Sequence, residues 1–207
     1  MGGSRLMRRK KLRETRRAVV ERVTGETKVK VVLDLDGEKG GVKIGLDRKF
    51  FKHMLASMAF HGGFTLEIEG EEFEALDDHH LVEDVGLALG EALAKALGDK
   101  RGIARFGWAA VPMDEALILA SVDLSGRPYF ESNLTFKRLH LGDLSTEMIN
   151  HFFYSFSHAG GFTLHLLALR GVNDHHKAEA AFKAVGLALA QACRKTGGEI
   201  PSLKGVL

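Results

Sequence analysis

Asp77-Asp78-His79-His80-Leu81-Val82-Glu83 returns in the second half of the chain as Asn173-Asp174-His175-His176-Lys177-Ala178-Glu179. Each heptad opens a segment in which Leu, Val and Ala recur at helical spacing, through Leu93 in the first copy and Leu189 in the second. The Asp or Asn in front of it predicts a helix N-cap. On such a helix His79 and Glu83 lie four residues apart and share a face, as do His175 and Glu179, so each pair can meet one metal ion. His80 and His176 lie about 100° further round, so each His-His pair is expected to serve two different metal sites.

The repetition extends upstream. His53-Met54-Leu55 is followed eleven residues after His53 by Phe64-Thr65-Leu66, and His151-Phe152-Phe153 is followed eleven residues after His151 by Phe162-Thr163-Leu164. Gly62-Gly63 and Gly160-Gly161 precede the two Phe-Thr-Leu runs. The chain is therefore an internal duplication. Each half offers three histidines and a glutamate: His53, His79, His80 and Glu83, then His151, His175, His176 and Glu179. Eight ligands divide into two sites of three imidazoles and one carboxylate, a set that suits Mn, Fe, Ni, Co or Zn better than Mg or Ca. His61, His140, His158 and His165 read as surface or hydrogen-bonded residues.

Around these motifs, alternation predicts strands over 18–24 and 28–35, joined at Thr24-Gly25-Glu26-Thr27, and a third over 42–46. A helix over 50–60, a strand over 64–68 and a heptad helix stopped by Gly98 complete the first half. Strands over 103–111, 116–122 and 129–134, a helix over 146–157, a strand over 162–169 and a helix over 175–194 make the second. Strands followed by a helix in each half predict an α+β fold with helices on one face of each sheet.

The 207 residues are 45% hydrophobic, enough for one domain or two small fused lobes. The single cysteine, Cys193, excludes an internal disulfide and a multi-cysteine centre. There is no apolar run of membrane-spanning length and no signal-peptide core, so a cytoplasmic location and no membrane partner are expected. Residues 1–17 hold eight cations against Glu14, a balance of +7 that leaves the rest at −5 within a total of +2. They are expected to form a disordered basic extension. Nucleic-acid binding through that arm would leave the eight ligand-type residues without a purpose, so it is not expected. There is no P-loop, dinucleotide fingerprint or nucleophile elbow.

Several strings resemble the imidazoleglycerol-phosphate dehydratase family of histidine biosynthesis. They are Asp77-Asp78-His79-His80 with Val82-Glu83-Asp84-Val85-Gly86, Arg105-Phe106-Gly107, Pro112-Met113-Asp114-Glu115-Ala116, Val122-Asp123-Leu124-Ser125-Gly126-Arg127-Pro128, His175-His176, Phe182-Lys183-Ala184 and Pro201-Ser202 with Lys204-Gly205. The likeness runs from about Ala18 to Leu207. It implies an internally duplicated lobe of the ribosomal protein S5 domain 2-like type, with four-stranded sheets and two fused halves. The domain would cover 18–207 as two repeats, approximately 18–100 and 101–207.

The resemblance also implies a homo-oligomer of 24 subunits, with active sites at subunit interfaces and two Mn2+ per site on the eight ligands above. The implied reaction converts D-erythro-imidazole glycerol phosphate, a small-molecule phosphate substrate, to imidazole acetol phosphate and water. The carbon that loses a proton is not acidic in the free substrate, so the path is expected to run through a metal-bound imidazolate. By resemblance Glu26 contacts the substrate, and Glu26 or Glu179 handles the protons. Arg105, Arg127, Lys183, Ser202 and Lys204 match the family's phosphate-binding positions.

The run Leu46-Asp47-Arg48-Lys49-Phe50-Phe51-Lys52-His53 departs from the family pattern, with Lys52 where the family has an acid beside the ligand histidine. Ser57 and Leu203 depart as well. The alternative reading is therefore a divergent paralogue of the same fold with weak or altered metal-dependent activity.

Overall fold

Alternating exposed and buried side chains make an amphipathic hairpin of β1 (Arg17–Val23) and β2 (Thr27–Asp34), paired antiparallel from Arg17–Asp34 to Val23–Lys28. The structure, a computed structural model, describes residues 15–38, 40–73 and 76–207. The hydroxyl of Thr24 accepts the Glu26 and Thr27 amides, which sets Glu26 at the hairpin tip. β3 (Val42–Gly45) runs parallel to β4 (Thr65–Glu72), and α1 (Lys49–Gly62) supplies the crossover that a parallel pair needs. α2 (His79–Leu97) completes the half.

The second half repeats the order with one addition. β5 (Phe106–Met113), β6 (Ala116–Asp123) and β7 (Tyr129–Ser132) precede a small hairpin of β8 (His140–Leu141) and β9 (Leu144–Ser145). Then come α3 (Glu147–Gly160), β10 (Thr163–Arg170) and α4 (Asp174–Cys193). The sheets have orders β1-β2-β4-β3 and β5-β6-β10-β7, the same topology twice. This is a duplicated α+β fold.

One contiguous apolar core joins the halves. α2 packs on β1 and β2 but also on α3 of the other half, while α4 packs on β5 and β6 and on α1. The crossings are close because glycine stands at them. A Cβ on Gly90 would come 2.5 Å from the Phe156 carbonyl oxygen, and one on Gly186 would come 2.2 Å from that of Met58. Gly160 and Gly62 face them across the two contacts. The heptad helices are thereby locked to the helices that carry His151 and His53.

Two expectations are corrected. Of the basic extension assigned to residues 1–17, residues 1–14 lie outside the described residues, but Arg16 and Arg17 belong to the fold. Arg17 opens β1; the Arg16 guanidinium pairs with Asp36, Nε to Oδ2 2.8 Å, and donates to the Cys193 carbonyl at the end of α4. The strand expected from 103 starts at Phe106, because Arg105 is left-handed (φ 71) and the amides of Ala104 and Arg105 go to Arg194 and Ala192. Asp78, the N-cap residue of α2, makes no side-chain cap bond; its carboxylate accepts from the Ser145 amide and hydroxyl. No helix among the described residues is long and apolar enough to cross a membrane.

Candidate active site

The starts of α2 and α4 decide where the heptad side chains point. Asp77 Oδ1 accepts the His79 amide at 2.8 Å, and Asn173 Oδ1 accepts the amides of His175 at 2.9 Å and His176 at 3.4 Å. Each helix thus begins with the first histidine in its first turn, and the glutamate follows one turn later on the same face.

The first cluster is His79, Glu83 and His151, whose ligand atoms all lie within 4.8 Å of one another. His151 Nε2 is 3.2 Å from Glu83 Oε1, and the His79 and His151 rings are 4.7 Å apart. The second set, looser than the first, is His53, His175 and Glu179: Glu179 Oε2 lies 3.0 Å from His175 Nε2 and 3.6 Å from His53 Nε2, but the three do not all close to within 4.8 Å of one another. Each cluster takes a His-Glu pair from one half and a single histidine from the other. That crossing follows from the α2–α3 and α1–α4 packing.

His80 and His176 join neither group. The His79 and His80 ring planes stand at 74°, those of His175 and His176 at 89°. His80 Nδ1 is 3.2 Å from Glu26, and His176 Nδ1 is 2.7 Å from Glu115. Glu26 and Glu115 are equivalent, each at the turn of its half's first hairpin and just ahead of β2 or β6. The sequence reading singled out Glu26 and passed over Glu115, although the repeat pattern could have matched them.

The electrostatics differ between the halves. Burial pushes the Glu179 carboxyl up, but the Lys183 ammonium at 2.7 Å, with His175 and His53, outweighs it and holds the group below the usual carboxylate range. The Asn173 amide, the His176 ring and the Val172 amide bring Glu115 down to about 2.

The phosphate-type cations gather around Asp123, which the sequence reading had not singled out. Arg105 grips it with two bonds, Nε to Oδ1 2.7 Å and NH2 to Oδ2 3.1 Å, and donates from NH1 to the Pro201 carbonyl at 3.0 Å. Arg127 lies 3.8 Å from Asp123, and Ser202 Oγ accepts the Lys204 amide at 3.2 Å. Arg105, Arg127 and the Ser202–Lys204 segment are thus linked through Asp123 and Pro201. Lys183 is tied instead to Glu179.

The loop before His53 is well anchored. Arg48 bonds both oxygens of Glu72, at 2.9 and 3.2 Å, and the Asp77 carbonyl at 3.0 Å. Lys52 is exposed and makes no ion pair among the described residues.

Residues 47–189 match the family model described as imidazoleglycerol-phosphate dehydratase. The imidazoleglycerol-phosphate dehydratase of Metallosphaera sedula is 55% identical over 186 residues, covering 90% of this chain and 96% of that one. That of Caldivirga maquilingensis is 50% identical over 192 residues, covering 93% and 99%. The crystal structure of the Pyrococcus furiosus enzyme in complex with (S)-C348 superposes with a TM-score of 0.79 at 36% identity, covering 91% of this chain and all of that one.

Proposed function

This chain belongs to the imidazoleglycerol-phosphate dehydratase family, and from that premise we propose how its residues carry the reaction. The activity is a dehydration in histidine biosynthesis, taking water from imidazole glycerol phosphate to leave imidazole acetol phosphate. No observation favours the divergent-paralogue alternative.

The observation that carries the metal reading is the convergence of His79, Glu83 and His151 within 4.8 Å. Two imidazoles and a carboxylate fit a borderline divalent ion such as Mn2+. His53, His175 and Glu179 offer the same donors at the second site. Bound there, two such ions would act as Lewis acids that lower the pKa of the substrate's imidazole.

The chain's own groups supply the rest. Glu179, held ionised by Lys183 and the two imidazoles, suits a ligand that stays charged at neutral pH. Glu26, half-exposed at its hairpin tip, is free to take and return a proton. Arg127, largely exposed, receives the substrate phosphate with Lys204 and Ser202, while Asp123 and the Pro201 carbonyl fix the Arg105 fork behind it. Lys183 completes the clamp only by leaving Glu179.

Each cluster has three donors of its own, and His80 and His176 point away from both. We infer that these histidines complete the clusters of neighbouring copies, giving three imidazoles and a carboxylate at each site in a homo-oligomer, by family likeness a 24-mer. The outer face of the second sheet supports association: the aromatics Phe106, Trp108 and Tyr129 stand exposed there, whereas the first sheet sets Val19 and Val23 among Glu21, Lys28, Lys30 and Glu69. The biosynthetic role supports a cytoplasmic location.

The test is turnover of imidazole glycerol phosphate by metal-stripped protein with and without Mn2+, alongside metal content. Turnover that returns with about two ions per chain is the expected result. Full turnover in rigorously stripped protein would overturn the metal reading.

A further inference from the structure

All four helices that carry cluster residues are fixed at their N-termini by one segment, residues 137–146, which has no counterpart in the first half. Asp174, the residue before His175, accepts the Lys137 and Arg138 amides at 2.9 and 2.8 Å. Asp78, the residue before His79, accepts the Ser145 amide and hydroxyl at 2.5 and 2.8 Å. α3 grows directly out of the segment, with the Thr146 hydroxyl donating to the Arg138 carbonyl at 2.8 Å.

The fourth link is the least ordinary. α1 starts without a cap of its own: Arg48 precedes it with no side-chain cap bond, and its first turn holds no acid. The missing acceptors arrive from the other half. Asp143, at the tip of the β8–β9 hairpin, sets Oδ2 2.6 Å from the Lys49 amide and Oδ1 2.9 Å from the Phe50 amide. One carboxylate thus satisfies two of the four orphan donors of α1 and lies at the positive end of its dipole. His53 follows one turn later on that helix. The hairpin's Gly142 has φ 63 and lies against the Phe50 side chain, so the turn that presents Asp143 is itself packed on α1.

We propose that Asp143 is a positioning residue for the second metal cluster, holding the first turn of α1 so that His53 stays opposed to His175 and Glu179. It touches no cluster atom and acts only through the helix. The inference rests on the reading of the clusters as metal sites. Asp143 also supplies α1 with the cap that its own preceding loop, ending at Arg48, does not.

The experiment pairs two readouts on the full-length protein. Amide hydrogen exchange on metal-stripped wild type and Asp143→Ala reads the cap: exchange at Lys49 and Phe50 is expected to quicken, while the start of α2 stays protected. Mn2+ titration followed by electron paramagnetic resonance reads the site. Asp143→Ala is expected to weaken one of the two ions by about 10- to 100-fold, the range for groups that orient a ligand, and to leave the other close to wild type.

Asp143→Asn keeps one of the two capping oxygens, so faster exchange at one of the two amides and a smaller loss at that same ion alone are expected; it decides the matter if Asp143→Ala does not fold. Unchanged Mn2+ affinity at both sites in either variant with a freed cap, or equal loss at both sites, would overturn the proposal. Wild-type protein that binds no Mn2+ would overturn the metal reading and this inference with it.

Discussion

The cluster on α2 and the cluster on α4 descend from one pattern yet are not equivalent. One turn beyond Glu83 stands Leu87; one turn beyond Glu179 stands Lys183, bonded to the carboxylate at 2.7 Å. The Glu83 side chain is 37% exposed and that of Glu179 only 10%. Duplication has preserved the donors and their helical spacing. It has let the surroundings diverge, so that the second cluster's carboxylate already carries a cation: Lys183 holds Oε1, while His175 and His53 face Oε2. Equal donor sets therefore do not make equal sites.

The largest effect should come from removing the more buried carboxylate. Glu179→Gln is expected to empty the second site and lower turnover by about 10^2- to 10^4-fold, the range for a group acting directly on the reacting centre. Metal content and turnover measured together check this. Retained Mn2+ at both sites would mean that Lys183, not a metal, is the natural partner of Glu179.

A smaller change should make the sites alike. Lys183→Leu gives the second cluster the side chain of the first and removes a charge-assisted bond worth about 1.5–3 kcal/mol. Mn2+ is expected to bind there roughly tenfold more tightly, since about 1.4 kcal/mol is a tenfold change. The substrate KM should rise at the same time, because the same ammonium is proposed to meet the phosphate. Unchanged Mn2+ affinity would show that the ammonium does not compete for Glu179.

The comparison also shows how far sequence reaches. The His79–Glu83 and His175–Glu179 pairings were legible because an i, i+4 relation is set by the helix itself. The duplicated sheets were legible for the same reason, since alternation and turn residues are local. What no local pattern contains is that His151 meets the first pair and His53 the second. That exchange depends on which helices cross, which is decided by contacts such as Gly90 against Phe156 and Gly186 against Met58. Asp123 and Asp143 were passed over because each acts on partners distant in sequence, and the β8–β9 hairpin because two-residue strands carry no periodicity. Glu115 was the one omission the repeat itself could have repaired.

Glu115 offers the finest way to separate the two halves. It accepts the Asn173 amide at 2.6 Å and the Val172 amide at 3.1 Å, and pairs with His176, so it ties the β5–β6 turn to the start of α4. Glu26, its counterpart, reaches only His80 among the described residues. Folding lowers the Glu115 pKa from 4.5 to about 2. A depressed folded value means the carboxylate favours the folded state above the unfolded pKa, and that this contribution is lost as pH falls from 4.5 towards 2. Denaturant unfolding across that window is expected to show a shallower acid limb for Glu115→Gln than for wild type, with the variants converging at the acid end. Identical limbs would mean that the α4 start holds without Glu115, leaving Asn173 and Asp174 to set the helix as Asp77 does for α2.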